Sequence, residues 1–188
     1  MPIITSREGE LQGIMQAAGL MMASCRTAPK SGGVDDIETV LITGEEKDKL
    51  VAEMEKMGDE RKIEGFKRDA DNVKRSDAVL LVAVNGRKSF GMSCGACGHS
   101  TCQEFDAAAQ VSGLDFAGPT CVFKALDLGI ALGSAAKMAS DLNVDNRIMY
   151  RAGAAAKRLG YLSQSSVVMG IPISASGKSI YFDRKWPK

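Results

Sequence analysis

The chain has 188 residues, 45% of them hydrophobic, a length that suits one domain with an ordinary core or one domain with a small inserted lobe. Its 24 Lys and Arg nearly cancel 23 Asp and Glu, which argues against a general nucleic-acid or membrane-surface binder. No apolar run approaches a membrane span, and Met1-Pro2-Ile3-Ile4 lacks the basic and apolar regions of a signal peptide, so a cytoplasmic location is expected.

From about Glu8 to Arg26, the residues Leu11, Ile14, Met15, Ala18, Met21, Met22 and Cys25 recur at helical spacing. They predict an amphipathic helix facing a core, with Cys25 as a buried small hydrophobe or, more sharply, a fifth cluster ligand. Ala28-Pro29-Lys30-Ser31-Gly32-Gly33 then reads as a loop. Glu38 to Thr43 reads as a strand, Glu45 to Met57 as a helix, and Asp59 to Arg75 as a second charged helix. Ala78 to Val84 is a continuous apolar run, expected to be a strand buried on both faces.

Beyond it lies the chemistry-bearing stretch. Cys94, Cys97, Cys102 and Cys121 are separated by two, four and eighteen residues. Soft thiolates at such spacing suit a metal or an iron–sulfur cluster. Gly95 and Gly98 let the backbone turn tightly, and small Ser93, Ser100 and Thr101 let N–H groups approach the sulfurs. A zinc knuckle would use the same four thiolates. A disulfide framework does not fit five cysteines in a chain of this length and type. His99, the one histidine, sits inside the motif, where it would tune the site or simply occupy an exposed loop.

Ser100 to Ser112 is a plausible helix, and Gly113 to Thr120 a loop. Cys121 to Leu142 reads as a long apolar helix on which Gly129 and Gly133 leave a smooth strip. Tight helix packing is the plain reading of that strip; a partner subunit or a flat cofactor is the other. Asp145 to Leu159 reads as a helix, and Ser166 to Ile173 as a strand with Pro172 near its end or on an edge. The tail from Gly177 is basic and holds Tyr181, Phe182 and Trp186. No Ser-His-Asp set, phosphate loop or paired-carboxylate site is evident, so hydrolase chemistry has no support.

Two resemblances add to this reading. Cys94-x2-Cys97-Gly98-x3-Cys102 followed by Cys121 resembles the four-cysteine 4Fe–4S domain of corrinoid iron–sulfur proteins and of a subunit of membrane ion-translocating electron-transfer complexes. The remaining words resemble the FMN-dependent nitroreductase superfamily: Ala28-Pro29-Lys30-Ser31, the strand at Val40-Leu41-Ile42, Leu128 to Ser134, and Val167 to Ile173. The combination resembles an uncharacterised prokaryotic family of ferredoxin-domain proteins. It implies an α+β fold: a nitroreductase-like central sheet flanked by helices over residues 1–188, with a cluster-binding insert at 91–121. It also implies one 4Fe–4S cluster (zinc being the alternative) on Cys94, Cys97, Cys102 and Cys121, in an electron carrier or oxidoreductase component. An FMN site would draw on Arg26, Lys30, Ser31, Gly129 and Gly133, with Lys178, Arg184 and Lys185 as further basic groups. The superfamily's Arg-x-Ser phosphate motif is absent, only Ser6-Arg7 being present, and Asp35 and Asp36 place negative charge near the site. The expected assembly is a homodimer, together with a redox partner protein. The competing class is a zinc-stapled module without catalysis.

Overall fold

A computed structural model describes residues 3–182. Helix α1 (Ser6–Thr27) starts at a capping box, in which the Thr5 side chain accepts from the Glu8 amide and Glu8 reaches back to Thr5. Strand β1 (Ile37–Ile42) leads into α2 (Gly44–Arg61), and Lys62, in the left-handed conformation, breaks the chain before α3 (Glu64–Arg75). The break falls four residues later than the sequence suggested, because the charged stretch after Met57 still continues α2.

Strand β2 (Ala78–Val84) is the spine, and all seven of its residues are fully buried. Its alternate side chains serve two cores. Val79, Leu81 and Ala83 pack toward α2, α3 and α6 (Tyr150–Arg158), while Ala78, Leu80, Val82 and Val84 pack toward α1 and α5 (Val122–Asp141). The sheet is antiparallel in the order β1-β2-β6-β5, with β5 at Asp145–Asn146 and β6 at Val167–Ser174. The result is three layers, helices–sheet–helices.

Two expectations are corrected. The stretch from Asp145 begins as strand β5, and α6 starts only at Tyr150, because Asp145 and Asn146 pair with Ser174 and Ile173. Between Ser100 and Ser112 only a short helix α4 (Cys102–Ala107) forms, followed by a hairpin of β3 (Val111–Ser112) and β4 (Ala117–Gly118). Pro172 does lie near the end of β6, but not on an edge, since β6 has a neighbour on each side. Gly170 exchanges both backbone hydrogen bonds with Met149, so Pro172, two residues on, turns its missing donor to that same side and leaves the β2 ladder intact. Helix α6 comes close to β6 at one glycine: a Cβ on Gly153 would lie 1.9 Å from the Val168 carbonyl oxygen.

Candidate metal centre

The chain leaves the sheet after β2, makes an excursion containing α4 and the β3–β4 hairpin, and returns at Cys121. Its ends meet: the Cys121 amide donates to the Gly86 carbonyl at 2.9 Å, and a side chain at Gly86 would run into Thr120. On the outgoing limb Arg87 lies over the Phe105 ring and donates to the Ala108 carbonyl at 2.7 Å, tying that limb to the end of α4.

Cys94 and Cys97 sit on a tight turn closed by the Gly98 amide on the Gly95 carbonyl at 3.0 Å. Both glycines take positive φ, 77° at Gly95 and 88° at Gly98, which is where glycine is needed. Cys102 opens α4, capped by Thr101, whose hydroxyl accepts from the Glu104 amide. Ser93 and Cys102 bond reciprocally at 3.2 Å: the Ser93 amide donates to the Cys102 sulfur, and the Cys102 amide to the Ser93 hydroxyl. The Ser93 amide is the leading reason the Cys102 thiol ionises more readily than a free cysteine, with help from the Gly91 amide and the Ser93 and Ser89 side chains against a smaller effect of burial. Cys121 is buried at the N-cap of α5.

All four cysteines line one cavity, together with Phe90, Met92, His99 and Phe123. Phe90 and Phe123 pack at 4.8 Å between ring centroids, and His99 meets Phe105 edge-on at 5.9 Å. Among the described residues no three of the His, Cys, Asp and Glu side chains group closely enough to hold a metal ion. As they stand, the thiols ring a space and do not meet at a point. Soft donors, an amide on sulfur and an apolar aromatic wall are the surroundings an iron–sulfur cluster takes.

Behind the cavity runs an ionic chain centred on buried Asp36, Lys124 and Asp127. Asp36, immediately before β1, receives Lys88 at 2.5 Å and Lys124 at 2.9 Å. Lys124 also donates to the Val34 carbonyl at 3.2 Å and lies 3.9 Å from Asp127. Burial works to raise the Asp36 pKa, but the hydrogen bonds and charges of Lys88 and Lys124 outweigh it and hold the carboxyl below its ordinary value. Sequence reasoning missed Asp36 as a partner of lysines, and missed Lys124 and Asp127 altogether. The available signal was two charged residues at inward positions of an otherwise apolar helix.

The residues expected to hold FMN are placed as follows. Arg26 binds Asp35 at 2.5 Å and the Ile37 carbonyl at 3.1 Å. Lys30 folds back onto the last carbonyls of α1, those of Cys25 and Arg26, at 2.5 and 2.6 Å. The Ser31 amide and hydroxyl both donate to Asp127 at 2.8 Å. Gly129 and Gly133 lie on the exposed side of α5, with open space around them, whereas Asp127 is buried. Ser31 is thus brought to α5 but not to the glycines, and the polar groups of this set are already engaged within the chain. Asp35 and Asp36, expected to add unbalanced charge, are each matched by two cations. Arg184, Lys185 and Trp186 lie outside the described residues.

Comparison with known proteins fits this geometry. Residues 117–184 match a family profile described as "Uncharacterized protein containing a ferredoxin domain". That stretch holds Cys121, while the other three cavity cysteines precede it. An uncharacterized protein of Archaeoglobus fulgidus is 48% identical over 182 residues, 97% of each chain. Among solved structures, nitroreductase CinD from Lactococcus lactis, in complex with nicotinic acid, matches with a TM-score of 0.61 at 10% identity, over 97% of this chain and 95% of that one. A putative NADH dehydrogenase/NAD(P)H nitroreductase from Bacteroides thetaiotaomicron matches at 0.56 and 13%, over 92% and 77%. These likenesses establish a nitroreductase-like α+β fold. By its relative and its profile, the chain belongs to the family of uncharacterized proteins containing a ferredoxin domain.

Proposed function

We propose that this protein is an iron–sulfur redox protein in which Cys94, Cys97, Cys102 and Cys121 hold one 4Fe–4S cluster. It serves as an electron carrier or as the electron-transfer part of an oxidoreductase. The observation that carries this reading is the single cavity lined by all four thiols, drawn from a 28-residue span (positions 94 to 121) of the chain. When bound, such a cluster supplies one-electron redox chemistry. The chain's own residues do the rest. The Ser93 amide on Cys102 stabilises sulfur charge. Phe90 and Phe123 exclude water on one side, while exposed Cys94 leaves the other approachable by a redox partner.

Anoxic reconstitution tests the reading through iron and sulfide content and the electron paramagnetic resonance of the reduced protein. About four irons per chain are expected. Replacing Cys121 by Ala should lose iron, and full retention in that variant would sink the four-ligand assignment. A colourless protein with stoichiometric zinc would replace the redox reading with a zinc-stapled module.

Two further readings belong with it. The chain acts as a cytoplasmic protein; among the described residues no helix is long and apolar enough to cross a membrane. It also assembles as a homodimer. Helix α5 leaves Leu126 and Ile130 exposed beside the open Gly129 and Gly133, an apolar surface suited to a second copy.

A further inference from the structure

Two lysines reach the same buried carboxylate from opposite ends of the excursion. Lys88 is on the outgoing limb, next to Ser89 and Phe90, which line the cysteine cavity. Lys124 is on the returning limb, one helical turn past Cys121 and adjacent to Val122 and Phe123, which also line it. Both end on Asp36, whose side chain is 2% exposed. The backbone repeats the arrangement, with the Asn85 amide on the Asp36 carbonyl at 3.1 Å and the Cys121 amide on the Gly86 carbonyl at 2.9 Å. Three of the four cysteines sit on the exposed part of the excursion, tied by Ser93 to Cys102, Arg87 to Ala108, Ser89 to Asp106 and the packing of Phe90 on Phe123, while Arg61 and Tyr150 hold its hairpin at Asp115. Without the carboxylate, two ammonium groups would face each other, one of them buried, and the limbs would be driven apart.

From this we infer that Asp36 is the positioning residue of the metal centre: by drawing Lys88 and Lys124 together it holds the Cys121 limb against the loop carrying Cys94, Cys97 and Cys102. Its effect on cluster retention rests on the iron–sulfur reading above; the clamp itself does not.

The test compares wild type with Asp36→Asn, Asp36→Glu and Lys88→Met. In reconstituted protein under anoxia, iron release to a chelator should be roughly 10–100-fold faster in Asp36→Asn, the scale on which a group supporting a ligand affects metal affinity. The resonance spectrum of the reduced cluster should also change, and Asp36→Glu should restore part of both. Lys88 is 63% exposed, so Lys88→Met leaves the buried pair in place. It should speed iron release several-fold at an unchanged unfolding midpoint, and it decides the matter if Asp36→Asn does not fold. Release at the wild-type rate from folded Lys88→Met and Asp36→Asn would overturn the proposal. In metal-free protein, hydrogen exchange of Lys88→Met should quicken across residues 88–120 and not in β2 and β6. Unchanged exchange, or an increase spread evenly over the sheet, would overturn the clamp. Should wild type take up no iron, the cluster reading fails, and this exchange measurement still decides whether Asp36 joins the limbs.

Discussion

Cys25 is fully buried between α1 and α5, where its thiol donates to the Ala131 carbonyl at 3.5 Å. Burial pushes its pKa up to about 11, against a smaller opposing pull from Lys30 and Arg26. Native protein should therefore resist alkylation at Cys25 at pH 8 while metal-free Cys94 reacts, as peptide mapping would read. The same shift makes stability pH-dependent. The folded state prefers the neutral thiol, so this contribution is complete below about pH 9 and is lost as pH rises toward 11, by roughly 2–3 kcal/mol. Urea titrations of wild type and Cys25→Ala should converge over that window, and parallel curves would refute the linkage. Cys25 as a buried small hydrophobe was legible in the sequence, because its place on the apolar stripe of α1 is a local property. Asp36 was not: its partners Lys88 and Lys124 lie 52 and 88 residues away, and nothing local distinguishes a paired carboxylate from an unpaired one.

Element boundaries followed the same division. Strand β2, by its unbroken apolar run, and helices α1 and α5, by periodicity over long stretches, stand where their residues indicate. The stretches from Ser100 to Ser112 and from Asp145 to Tyr150 differ because pairing with distant chain decides them: β3 with β4, and β5 with β6. Helix α6 illustrates a close fit of the same tertiary kind. Its Gly153 faces the β6 backbone, and a methyl group there would overlap the Val168 carbonyl. Gly153→Ala should raise local helix propensity yet lower stability by about 1–3 kcal/mol, since backbone on both sides must shift. A thermal midpoint at or above wild type would show that α6 can lift from the sheet without loss.

At the scale of the molecule, the three-layer architecture was readable because the fully apolar β2 demands cover on both faces, and the helices on either side of it in the chain supply that cover. The exposed apolar residues of α5 carry the assembly prediction. Sedimentation should find a dimer at micromolar concentration, and Ile130→Glu should give a monomer that keeps its iron. An unaltered dimer would place the interface elsewhere. FMN titration of the metal-free protein should show weak binding or none, because Arg26, Lys30 and Ser31 are already engaged; tight stoichiometric binding would favour a flavin-dependent oxidoreductase. The hydrogen bond between Cys121 and Gly86 has a consequence for how such a chain could arise. An excursion whose two ends touch costs its host little loop-closure entropy to acquire or to shed. We expect the cysteine segment to behave as a graft on a sheet-and-helix stock. A chain in which a short Gly-rich turn joins Gly86 to Cys121 should still fold around β2, with the stock's helix content and without its metal.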